Sequence, residues 1–153
     1  MSLRETEQPC GRYNVSTAGT DEAGVHLRHF QLFIESYALL FLFEVVIIFR
    51  NSQALYDIVR LHAPRAASES RQIRANEIVH AMDFACVFYF RKVYCLQRSA
   101  ATTVLMRRHG WNATMVTGAQ ILPPEFHAWV QVGDEIVNDK PYMHDIYQVL
   151  DRC

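Results

Sequence analysis

Cys95, His127 and Asp139 are the residue types needed for nucleophilic attack on an acyl bond, and each falls at the edge of an expected element. Cys95 stands where the chain enters a helix read from Leu96 to His109. Unpaired backbone N–H groups and the positive end of the helix dipole surround such a first turn, so a thiolate there is stabilised. The same N–H groups can hold the oxyanion that forms when the thiolate attacks a carbonyl. Position alone serves a small core cysteine equally well. His127 opens a strand in which Ala128, Val130 and Val132 share one face and His127, Trp129 and Gln131 the other. Alone, a histidine beside a tryptophan reads as packing. Beside a thiol it becomes the base that takes the sulfur's proton and returns it to the leaving group. Asp139 could orient that imidazole and stabilise its charged form, or simply form a turn before Lys140 and Pro141.

This triad carries a geometric condition. If residues 128–132 and 135–139 form a hairpin with Gly133 and Asp134 as a two-residue turn, Val132 faces Glu135 and Ala128 faces Asp139. His127 and Asp139 then lie on opposite faces. A three-residue turn or a bulge between Val132 and Asp139 is therefore expected. Leu96, Arg98 and Trp129 are the expected substrate or oxyanion supports, with packing the stronger reading for Trp129. Arg98 adds positive charge or binds a nearby carboxylate. Between Arg91 and Arg108 lie five basic residues (Arg91, Lys92, Arg98, Arg107, Arg108) and no acid, which reads as a solvated face or as a positive field that helps ionise a thiol. A metal site of Cys95, His127 and His144 is the weaker alternative, because no two ligands have short-range spacing. No cofactor is expected.

The four cysteines form no CxxC pair, and Cys86 reads as a small buried thiol within a helix. With no apolar signal segment at the N-terminus, a reducing cytoplasm fits. The formal net charge of −1 points to no nucleic-acid partner.

The elements that must position these residues follow from periodicity and breakers. Residues 1–25 are polar and read as a flexible tail. Residues 26–83 read as a helical region and 84–153 as the catalytic core. Phe30 to Phe49 is apolar enough for a bilayer, but Glu35 and Glu44 fall on opposite sides of a helix, which favours a core helix over membrane association. A helix from Ser52, as N-cap, to His62 precedes Pro64 and a loop at 65–70. Another runs from Glu69 to Phe90. In the helix after Cys95, Leu96, Ala100 and Val104 repeat on one face and Gly110 stops it. Residues 112–118 read as a strand, Pro123 and Pro124 as a loop, and 142–150 as a closing helix. Helices followed by antiparallel strands make the fold class α+β.

Residues 94–99 (YCLQRS), 107–110 (RRHG), 127–132 (HAWVQV) and 136–139 (IVND) resemble a transglutaminase-like (papain-like) core, and more closely the lasso peptide biosynthesis B2 proteins. The resemblance covers about residues 84–145; the helical half matches in general character. It implies one nucleophile-bearing helix with a small antiparallel sheet, and a bacterial cysteine leader peptidase with a Cys–His–Asp triad. The implied substrate is a ribosomally made precursor peptide, cut between leader and core through a thioester. The implied partners are the precursor leader peptide, a small B1 leader-recognition protein and the lasso cyclase. The loop at 121–125 (ILPPE) departs from the Gly-containing polar loop common in the family and leaves peptide preference open. A transglutaminase-like acyltransferase and a non-catalytic peptide-binding scaffold are the alternatives.

Overall fold

The computed structural model describes residues 21–63 and 73–153. Four helices come first: α1 (Asp21–Phe49), α2 (Ser52–Leu61), α3 (Ala75–Phe88) and α4 (Cys95–Arg108). Strands β1 (Ala113–Gln120), β2 (Glu125–Val132) and β3 (Glu135–Ile136) follow, then a short helix α5 (Met143–Ile146) and strand β4 (Gln148–Arg152). The sheet is antiparallel in the order β3-β2-β1-β4. The architecture is α+β, as expected.

Helix α4 is the hub. It contacts α1, α2 and α3 on one side and β1 and β2 on the other. Ala100, Ala101, Val104, Leu105 and Met106 are buried in the core that α1, α2 and α3 share. The expected stripe of Leu96, Ala100 and Val104 is thus only part of its buried surface. Gln97, Ser99, Thr102, Thr103 and Arg107 are buried too, because neighbours cover α4 all round. Polar side chains on such a helix need partners. Arg107 finds them in the carbonyls of Ala113 (2.7 Å), Val59 (2.6 Å) and His62 (3.2 Å). His109 caps the helix and Gly110 follows at φ 88°, the left-handed backbone that suits glycine.

Helix α1 buries Leu32, Ser36, Leu39, Leu40 and Phe43 at helical spacing. Glu35 and Glu44 do fall apart: Glu44 pairs with Arg91, and Glu35 faces His109. Among the described residues it is the one helix long and apolar enough to cross a membrane, and a third of that apolar window is buried in the core. It begins at Asp21, so residues 21–25 are helical rather than tail; residues 1–20 lie outside the described residues. Asn51, not Ser52, caps α2, its side chain accepting from the N–H of Ala54 at 3.0 Å. Helix α3 starts at Ala75 rather than Glu69; Glu69, Pro64 and the 65–70 loop lie outside the described residues. Residue 84, the expected junction of helical region and core, lies inside α3.

Two corrections concern the sheet. The segment expected as a closing helix is one helical turn and then β4, which pairs with β1. Val149 and Asp151 are half-buried while Gln148, Leu150 and Arg152 are exposed. That alternation has period 2 and suits a strand. The expected strand 135–139 is only Glu135–Ile136.

Candidate active site

Cys95 is the first residue of α4, after an extended N-cap at Tyr94. It sits half-buried at one wall of a cleft of about 360 Å³, with His127, Ala128, Phe126 and Gly118 on the sheet side. His127 lies opposite Gly118 in the β1–β2 ladder. Its ring centroid is 5.2 Å from Tyr147 and 6.3 Å from Trp129, so two aromatic rings fix its plane. Glycine is required at 118: a Cβ there would meet Trp129 and Tyr147 side-chain atoms at 2.9 Å and the Gln148 carbonyl at 3.0 Å.

Asp139 Oδ2 lies 2.7 Å from His127 Nε2. The carboxylate only accepts, so Nε2–H donates to it, which leaves Nδ1 for the thiol. The thiol is held below its ordinary range. Its hydrogen bond with His127 is the largest cause; burial opposes, and the N–H groups of Ala128 and Leu96 add to the lowering. His127 is raised to about 9, first by Cys95, against burial, and then by Asp139. Both shifts act in one direction: each favours a thiolate beside a protonated ring. Cys86 and Cys153 go the other way, their thiols pushed up by burial.

The condition on the hairpin is met differently from expectation. Gly133 and Asp134 form a two-residue turn with Val132 opposite Glu135, so no three-residue turn exists. The strand instead ends after Ile136 and the chain peels away, carrying Asp139 back under His127. No register had to flip, because residues 137–139 are not strand.

The supporting residues divide. Leu96 lines the cleft. Arg98 turns to Asp83 on α3 and ties two helices together, the second of its two expected roles. Trp129 is fully buried with Val116, Met143 and Tyr147, so packing is its role. The basic run is not what holds the thiol low: Arg91 pairs with Glu44, Arg98 with Asp83, and Arg107 serves carbonyls. His127 takes that place. His144 contacts Gln131 and the edge of Trp129, and no metal-binding group of three occurs among the described residues. The 121–125 loop does not line the cleft; Phe126 does.

The chain matches the transglutaminase-like superfamily over residues 39–152. It belongs to that superfamily. Within it, the chain is similar to the microcin J25-processing protein McjB of Escherichia coli, 34% identical over 56 residues. That alignment covers 37% of this chain and 27% of McjB, so the match spans about a quarter of the relative's length. No solved structure matches the chain.

The far wall of this transglutaminase-like cleft comes from α2 and β4: Gln53, Tyr56, Arg60, Leu150 and Asp151. Arg60 and Asp151 pair at 2.7 Å across it. Sequence reasoning missed all five. Gln53, Tyr56 and Arg60 do recur at helical spacing, which marks a shared face of α2, but only tertiary packing turns that face toward Cys95.

Proposed function

We propose that the chain is a cysteine peptidase that removes the leader from a lasso precursor peptide. Cys95 attacks the scissile carbonyl as a thiolate. The N–H groups of Leu96 and Ala128 stabilise the oxyanion. His127 protonates the departing amine of the core peptide, and Asp139 holds the ring and its charge. His127 then deprotonates a water, which hydrolyses the thioester and frees the leader's new C-terminus. The partners are the precursor leader peptide, a B1 recognition protein that delivers it, and the cyclase that consumes the freed core. The setting is the cytoplasm.

One observation carries this reading: a thiol and an imidazole that are far apart in the chain meet at the wall of an open cleft, and the Asp139 carboxylate lies 2.7 Å from that imidazole. The similarity to a microcin-processing protein supports the substrate class.

The test is incubation of the purified chain and recognition protein with precursor peptide, followed by mass spectrometry. Separate leader and core peptides are expected, and Cys95→Ala should abolish them while partner binding persists. Crosslinked peptide in place of cleavage would assign an acyltransferase. Cleavage that survives Cys95→Ala would refute the mechanism.

A further inference from the structure

The chain leaves the β2–β3 hairpin at one residue, and that departure places Asp139. In a two-residue hairpin with Val132 opposite Glu135, Val130 and Val137 form the next pair that exchanges two backbone hydrogen bonds. One of those bonds is present: the Val137 N–H donates to the Val130 carbonyl at 3.0 Å. The other is replaced. The Val130 N–H donates instead to Asn138 Oδ1 at 2.7 Å. A side-chain amide has taken the seat of the Val137 carbonyl, and the backbone is free to turn.

Two further bonds fix the turned segment. Asn138 Nδ2 donates to Ser99 Oγ at 3.2 Å, and Ser99 Oγ donates to the Ala128 carbonyl at 2.8 Å. Ser99 and Asn138 are both buried. Had β3 continued, Ala128 would have faced Asp139 in the ladder, both its backbone groups bonded to the longer strand. With the strand ended, its carbonyl serves Ser99 and its N–H faces the Cys95 sulfur. A longer β3 would therefore misplace the carboxylate and occupy the N–H at the nucleophile.

We infer that Asn138, anchored on Val130 and Ser99, is the positioning residue that ends β3 and sets Asp139 against His127. It touches no reacting atom. It joins the helix that carries Cys95, the strand that carries His127 and the segment that carries Asp139. The inference rests on the triad proposed above.

The experiment follows alkylation of Cys95 by iodoacetamide against pH, read by mass spectrometry of the Cys95 peptide so that other thiols do not contribute. Asn138→Ala should move the alkylation midpoint upward, in the same direction as Asp139→Asn. The double variant should move no further than Asp139→Asn alone. With precursor peptide, Asn138→Ala should lose about a hundredfold in kcat at little change in KM, the size expected of a misplaced catalytic group. Ser99→Ala, which removes one anchor, should shift the midpoint the same way and decides the matter if Asn138→Ala does not fold. If His127→Ala moves the midpoint while Asn138→Ala and Ser99→Ala do not, the inference is overturned and the triad stands. If His127→Ala leaves it unmoved, the triad fails and the inference falls with it.

Discussion

Replacing Cys95 by alanine should change how His127 binds its proton, and this can be measured without any substrate. The ring is raised from 6.5 to about 9, with the bond to Cys95 as the first cause and Asp139 behind it. At about 1.4 kcal/mol per pH unit, that difference is a preference of roughly 3 kcal/mol for the charged ring, shared between a thiolate and a carboxylate. His127 is buried enough to keep most of it, its side chain being 22% exposed. Cys95→Ala removes the larger contribution and retains Asp139. Titration of the ring by nuclear magnetic resonance should therefore find a midpoint near 9 in the wild type. In Cys95→Ala it should fall toward, but stay above, that of the Cys95→Ala/Asp139→Asn double variant. The sign for activity follows. As pH rises through about 9 the ring loses the proton it must give to the leaving amine, so the rate falls. As pH falls through the lowered thiol value, the sulfur regains its proton and the rate falls again. A wild-type midpoint near 6.5, or one that Cys95→Ala leaves in place, would refute the thiolate–imidazolium pair.

Other perturbations test the frame. Gly118→Ala places a Cβ within 2.9–3.0 Å of three atoms, two of which (Tyr147 Cβ and the Gln148 carbonyl) cannot swing aside; about 3 kcal/mol of stability should be lost in urea unfolding, near the top of the overpacking range. Arg107→Met leaves the Val59, His62 and Ala113 carbonyls without their donor, which should cost roughly 3 kcal/mol, read as a lower denaturation midpoint. Asn51→Ala removes the cap of the helix that forms the far wall of the cleft; a loss of about 1 kcal/mol is expected, with faster amide exchange in the first turn of α2. In each case an unchanged unfolding curve or exchange rate contradicts the stated contact.

Much of the site was legible because its chemistry is written in local signals. Cys95 precedes a run of good helix formers that Gly110 stops, so its place in a first turn follows from neighbours a few residues away. His127 begins a period-2 pattern, and the alternation that separates Val130 from Trp129 persists in the fold. What local signals could not give was the last step. The pattern of residues 135–139 fits a strand throughout, but the Asn138 side chain, held by Ser99 from 39 positions away, takes the Val130 N–H from the ladder where the chain bends. Residues 148–152 are strand because β1 offers an unpaired edge, and Gln53, Tyr56 and Arg60 face the nucleophile because α2 packs on α4. Sequence by itself determined which residues could act and which elements carry Cys95 and His127, since helix ends and strand periods depend on near neighbours. Tertiary structure alone decided that they meet, because the bonds that end β3 and orient His127 join groups that the chain order keeps apart.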